Sequence, residues 1–196
     1  MILYRVTNLP EEGTVNFPKF LPPSWQAYVL RDDRLAVRER RITAAVMLLL
    51  LCEDAGITPP PIAYGEGGKP DFAEGPYHFN ITHAGRLLAV AVSDAPIGVD
   101  IEPYRVWKEG RYTRLFSAFT VGERERIAKA ESPDRAMVEG WVRKEAALKM
   151  SGIGLSGFRT VDSSLLTPSV EIRLKDYSHL EYYLCIMRDK KDDSAA

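Results

Sequence analysis

Asp100 and Glu102 stand two residues apart in Ile97-Gly-Val-Asp-Ile-Glu102, where apolar and polar residues alternate. Successive side chains of a strand point to opposite faces. Ile97, Val99 and Ile101 therefore take one face, and Gly98, Asp100 and Glu102 the other. Two neighbouring carboxylates with no basic residue between them suit a hard divalent cation that takes oxygen ligands; the alternative is a solvated strand end carrying two acids by chance. A second cluster, Trp141-Val-Arg-Lys-Glu-Ala-Ala-Leu-Lys149, sets Trp141, Glu145 and Lys149 four apart, hence on one helix face. Either Glu145 completes a three-carboxylate metal site with Lys149 meeting a phosphate, or the two form an i,i+4 ion pair on a wet face, worth only about 0.3–0.5 kcal/mol.

Three other segments carry polar chemistry. Gly67-Gly-Lys-Pro70 is a turn with Lys69 at its apex. Phe79-Asn-Ile-Thr-His83-Ala-Gly85-Arg86 ends a strand in a polar turn, where His83 either donates to a phosphate oxygen or caps local backbone. Arg34, Arg38 and Arg41 recur at helical spacing and form either a phosphate clamp or a solvated stripe.

Periodicity and breakers give the scaffold that holds these residues. Strands are expected at 1–7, 62–64, 77–81, 87–93, 97–102, 158–162, 170–174 and 182–187. Helices are expected at 31–54, 116–130 and 134–150, the first stopped by Gly56 and by Pro59-Pro60-Pro61. The segment from Pro10 to Pro23 reads as a Pro-rich loop, and 190–196 as a disordered charged tail. Helix, strands, helices, strands is an α+β order, not the regular alternation of a doubly wound sheet.

The bulk numbers restrict the partners. The chain has 196 residues, 45% apolar and 27% charged, with a formal net charge of −1, so no global field draws it to nucleic acid or to an anionic membrane. Cys52 and Cys185 sit in apolar runs and read as buried hydrophobes, with no disulfide framework or zinc motif. The apolar run Ala44 to Cys52 is about half of the ~20 residues that span a bilayer. Arg5, Glu11 and Glu12 interrupt the apolar start, so no signal peptide is expected, and a reducing cytoplasm is the expected compartment.

Taken in order, Gly68-Lys-Pro70, Phe79-Asn-Ile-Thr-His83-Ala-Gly85, Ile97-Gly-Val-Asp-Ile-Glu102, and Trp141-Val-Arg-Lys-Glu-Ala-Ala-Leu-Lys149 with Gly152-Ile-Gly154-Leu resemble the 4'-phosphopantetheinyl transferases of the surfactin-synthetase-activating type. The two acidic motifs at this separation are the specific part. Thr82 and Ala84 stand where that family usually has serine; threonine keeps the hydroxyl and alanine loses it.

The resemblance implies an α+β fold of two similar halves related by a pseudo-twofold, each a long helix packed on a small antiparallel sheet, with the ligand cleft between them. The expected halves are 1–96 and 97–196. It implies a transferase, a monomer, that moves the phosphopantetheine arm of coenzyme A onto a serine of an acyl or peptidyl carrier protein. Asp100, Glu102 and Glu145 would hold Mg2+, and Lys149 would meet an α-phosphate oxygen. Glu145, directly or through water, would take the serine proton. Lys69 and Pro70 would border the adenine. Thr82, His83 and the arginines Arg34, Arg38 and Arg41 would surround the 3'-phosphate. A metal-dependent nucleotide pyrophosphohydrolase acting on coenzyme A-like substrates is the alternative, because the same acids can activate water. The basic and aromatic segment Arg105–Phe116, with Arg111 and Arg114, is the expected carrier-protein contact.

Overall fold

The computed structural model of the chain describes residues 1–65, 68–105, 113 and 115–189. Arg111, Arg114 and the 190–196 tail lie outside them.

The N-terminal sheet consists of β1 (Ile2–Asn8), β4 (His78–Ala84) and β5 (Leu87–Ser93) in the order β1-β5-β4, all antiparallel. β4 and β5 are joined by a tight turn at Gly85-Arg86, where Gly85 takes φ +53°, a conformation open to glycine at little cost. A small hairpin, β2 (Ile62–Tyr64) with β3 (Pro70–Phe72), carries the Gly-Lys-Pro segment. Helix α2 (Leu35–Asp54) lays Ile42, Ala45, Leu48 and Leu51 over Phe79, Leu88, Val90 and Val92. Helix α1 (Pro23–Leu30) begins at the last proline of the expected loop and fills residues 24–30, for which no element is expected. Pro23 opens it, where a missing N–H costs nothing because the first helical turn has no partner for it. Asp32 and Asp33 then separate it from α2, which begins four residues later than expected.

The C-terminal sheet has the order β6-β8-β7, from β6 (Ile97–Pro103), β7 (Val170–Lys175) and β8 (Glu181–Arg188). Helix α3 (Val121–Lys129) starts in a capping box between Thr120 and Glu123. Helix α4 (Pro133–Ser151) ends at Gly152, whose φ of +72° suits a left-handed cap. The expected strand at 158–162 is instead a 3-10 turn, Leu155–Arg159, running into a loop. Phe158 is apolar because it packs on Trp141 and Phe119, not because it pairs in a sheet.

The two sheets stack face to face between the helices. Leu87, Ala89 and Ala91 of β5 meet Ile97, Val99 and Ile101 of β6 and Leu184 and Ile186 of β8. β5 is thus buried on both faces, which is why it reads as an unbroken apolar run. The other face of β6 lies under α4 so closely that a Cβ on Gly98 would overlap the Ala146 carbonyl oxygen and the Met150 nitrogen. No described helix is long and apolar enough to cross a membrane.

Candidate active site

Where β4 runs beside β6, the two sheets touch through side chains. Asn80 Oδ1 accepts a hydrogen bond from Val99 N at 2.9 Å, and Thr82 Oγ1 donates to Asp100 Oδ1 at 3.0 Å. Alternation sends Asn80 and Thr82 toward the C-terminal half and Phe79 and Ile81 into the N-terminal core. Asp100 is buried.

Helix α4 brings the second motif onto the same point. Lys149 Nζ donates to Asp100 Oδ1 at 2.5 Å, to Thr82 Oγ1 at 3.2 Å and to the Val99 carbonyl at 3.3 Å. It also lies 3.6 Å from Glu145 Oε2, one turn earlier. Glu102, half-buried, accepts from Arg105 Nη2 at 3.2 Å. Burial raises the Asp100 carboxyl, with Lys149 and Thr82 opposing. Burial first and the Asp100 charge second push Glu145 up to about 7, against the pull of Lys149. Trp141, on the same stripe, packs against Phe158 in a tilted pair with ring centroids 4.3 Å apart and anchors that end of the helix face.

Among the described residues no three acidic, histidine or cysteine side chains converge as a ready metal cage. The donor set nevertheless fits a hard divalent cation. Asp100 Oδ2 is buried without a hydrogen-bond partner, a costly condition that a cation relieves. Asp100, Glu102 and Glu145 offer only oxygen, and burial first, then the Asp100 and Glu102 charges, raise Glu145.

A pocket opens beside this cluster on the N-terminal half. It is lined by Arg40, Arg41, Thr82, His83, Gly68 and Pro70 among others, with Tyr28 and Tyr64 on its wall. The helix face that lines it is Val37, Arg40, Arg41 and Ala44, at the three- and four-residue spacing of one stripe. Arg38 is roughly 100° off that direction and does not line it. Arg34 reaches the rim, but Asp32 accepts two hydrogen bonds from its guanidinium, at 2.9 and 2.7 Å. Arg41 donates to the Tyr28 carbonyl at 3.3 Å. Desolvation lowers the Arg40 pKa; in the N-terminal half, among the described residues, no carboxylate pairs with it. His83 is exposed at the pocket edge; partial desolvation lowers its pKa, and the Arg40 and Lys149 charges add to that.

The structure therefore gathers Thr82, Asp100, Glu145 and Lys149 at one junction, with Glu102 farther along β6 and His83, Pro70 and Arg41 around the adjoining pocket. Lys69 does not line the pocket; its ammonium lies on the backbone carbonyls of Ile97 and Lys149, at 3.1 and 2.9 Å. Sequence reading missed Arg40, Asn80, Tyr28 and Tyr64. Arg40 stood next to Arg41 in the basic run, and only the rotational setting of α2 distinguishes it from Arg38. Lys144, beside Glu145 in sequence, is fully buried, paired with Glu123 Oε2 at 2.7 Å and flanked by the Phe119 and Phe158 rings.

Residues 96–191, which include Asp100, Glu102, Glu145 and Lys149, match the family described as the 4'-phosphopantetheinyl transferase superfamily. The chain is 37% identical over 111 residues to the 4'-phosphopantetheinyl transferase AcpT of Salmonella typhi, covering 54% of this chain and 57% of that protein. It is 34% identical over 135 residues to a 4'-phosphopantetheinyl transferase of Bacillus subtilis, covering 66% and 55% respectively. Over 93 residues it is 34% identical to the 4'-phosphopantetheinyl transferase Sfp of Bacillus subtilis (strain 168), covering 47% and 40%. The chain spans about half the length of the curated relatives it matches. The two acidic motifs meet at one junction inside residues 96–191, the stretch that is similar to the 4'-phosphopantetheinyl transferase superfamily.

Proposed function

We propose that this chain transfers the 4'-phosphopantetheine group of coenzyme A to a serine hydroxyl of an apo carrier protein, acyl or peptidyl, and releases 3',5'-ADP. The observation that carries this reading is the junction of buried Asp100 with Thr82 and Lys149 at the edge of a pocket walled by Arg40, Arg41 and His83. A polyanion with a phosphorylated ribose at one end and a pyrophosphate in the middle matches that layout.

Arg40, Arg41 and His83 hold the 3'-phosphate, and Gly68 and Pro70 border the adenine. Arg40 is the strongest clamp because its guanidinium is partly desolvated on the pocket wall. Asp100, Glu102 and Glu145 would hold Mg2+, which when bound supplies positive charge against the pyrophosphate. Lys149, one helical turn past Glu145, moves its ammonium to an α-phosphate oxygen and offsets charge that builds on the leaving group. The serine oxygen forms a bond to the phosphorus that bears pantetheine, the pyrophosphate P–O bond on that phosphorus breaks, and the electron pair leaves with 3',5'-ADP. Glu145, directly or through water, accepts the serine proton.

The halves 1–96 and 97–196, read as a pseudo-twofold pair, divide the labour, nucleotide binding in the first and metal and phosphoryl chemistry in the second. One core cluster within 21–92 and another within 119–187 support that division. The enzyme works as a monomer in the cytoplasm, a setting consistent with two buried free cysteines.

The test is intact-mass spectrometry of an apo carrier protein incubated with coenzyme A, Mg2+ and this protein. A carrier that gains one phosphopantetheine supports the transferase. Free phosphopantetheine with an unmodified carrier would instead point to a nucleotide pyrophosphohydrolase.

A further inference from the structure

Lys69 sits between two residues that wall the pocket, Gly68 and Pro70, yet turns its side chain the other way. Its Nζ donates to the Lys149 carbonyl at 2.9 Å and to the Ile97 carbonyl at 3.1 Å. The first acceptor lies in the last turn of α4, where carbonyls have no partner within the helix and where the helix dipole places partial negative charge. Gly152 N takes the Leu148 carbonyl next to it, and Lys69 takes the Lys149 carbonyl. The second acceptor opens β6, the strand that bears Asp100.

Both ends of one contact are thereby fixed from outside the C-terminal half. Lys149 contributes its carbonyl to Lys69 and its ammonium to Asp100 Oδ1. Ile97 is three residues from Asp100 on a strand whose Gly98 already seats α4 at backbone contact. Burial lowers the Lys69 pKa, and that desolvation is offset by carbonyls held in place on both sides.

We propose that Lys69 is a positioning residue: it ties the β2–β3 hairpin to the C-terminus of α4 and the start of β6, and so sets Lys149 Nζ against Asp100. The inference rests on the transferase reading for its kinetic test. It assigns the lysine of the Gly-Lys-Pro turn a structural link to the phosphoryl end of the site, with no contact to the adenine.

The test compares K69M, K69R and K69Q with the wild type, alone and in a K149M background, each assayed well below its own melting temperature. Misplacing a reacting group by about 1 Å costs on the order of 10²-fold in rate. K69M is expected to lower kcat about 10- to 100-fold with KM for coenzyme A changed less than about 3-fold, and K69R to recover to within about 3-fold of wild type. In K149M the further loss from K69M should be under about 2-fold, because both act through one group. A K69M variant with unchanged kcat and a raised KM overturns the proposal in favour of direct ligand contact, as does a full-size loss on top of K149M. K69Q keeps a donor and decides the matter on the same criteria if K69M does not fold. NMR of lysine ammonium groups supplies an arm independent of turnover: the Lys149 signal of the wild type should be ordered and that of K69M averaged by motion. An unchanged Lys149 signal overturns the proposal. A wild type that transfers nothing to any carrier sinks the transferase reading and leaves the NMR comparison to decide Lys69.

Discussion

Lys149 Nζ lies 2.5 Å from Asp100 Oδ1, so the cation of α4 and the buried acid of β6 meet across the helix–strand seam that Gly98 makes possible. The contact joins the two acidic motifs, and Thr82 of the other half closes it.

Asp100→Ala is expected to fold and to lose about 10²–10³-fold in kcat, the usual cost of one lost electrostatic contact to the reacting phosphates. Glu145→Ala should lose at least as much, and a chelator should abolish wild-type turnover. Circular dichroism confirms folding and carrier mass shift reports activity. Near-normal turnover in either variant at ordinary Mg2+ removes these acids from the site.

Arg40→Ala should weaken coenzyme A binding by about 10- to 100-fold, the size of a charge-assisted hydrogen bond of ~1.5–3 kcal/mol. Dephospho-coenzyme A should lose little, since it lacks the 3'-phosphate that Arg40 and His83 are proposed to hold. His83→Ala should show the same split to a lesser degree, and Arg38→Ala should show none. Calorimetric titration of both ligands against each variant checks this. Equal losses for the two ligands would place the 3'-phosphate elsewhere.

Gly98→Ala forces a methyl into the Ala146 carbonyl and the Met150 nitrogen. Backbone on both sides cannot yield as a flexible side chain would. A loss of at least about 1–3 kcal/mol is expected, or roughly 2–4 °C in Tm per kcal/mol for a chain of this size. Activity should fall further than stability alone explains, because α4 carries Glu145 and Lys149. A Tm within 1 °C or so of wild type would mean that the helix sits farther off than the structure shows.

Gly85→Ala meets the Tyr182 hydroxyl at 2.6 Å and must also hold φ +53°. Tyr182→Phe relieves the first penalty and not the second. The double variant should therefore be more stable than the sum of the single losses implies, which a double-mutant cycle on urea midpoints will reveal. Strict additivity would show that the hydroxyl is not the obstacle.

The buried pair Glu123–Lys144 should set part of the acid sensitivity of the fold. Burial alone would raise the Glu123 carboxyl, but hydrogen bonds from Lys144, Ser163 and Thr120 outweigh it and hold the pKa below 4.5. Its stabilisation is full above that ordinary value and is lost as pH falls through it toward the folded value. Glu123→Gln should flatten the fall in Tm below about pH 4.5. It should also destabilise at neutral pH by about 3–5 kcal/mol, because Lys144 is left buried without a counter-charge. An unchanged acid limb would assign the sensitivity to other carboxylates.

Local periodicity was enough to put Gly98, Asp100 and Glu102 on one face and Trp141, Glu145 and Lys149 on another, because strand and helix repeats are properties of the backbone and do not wait for partners. The apolar runs of β5, β6 and α2 were legible for the same reason, and so was the α+β class. Pro23 hid α1, since proline at a first helical position and proline in a loop look alike in sequence. Phe158 suggested a strand because an apolar residue does not announce whether it will pair or pack.

The tertiary fold settled whatever depends on distant contacts. Packing of α2 on Leu88 and Val90 fixes its rotation, and a turn of about 100° per residue is what puts Arg40 rather than Arg38 in the pocket. Stacking of the two sheets brings Thr82 and Asn80 to β6. Lys69 finds its acceptors at Ile97 and at Lys149, 80 residues away, and no local rule of sequence can specify a partner at that separation, because only the assembled core brings the two backbones together.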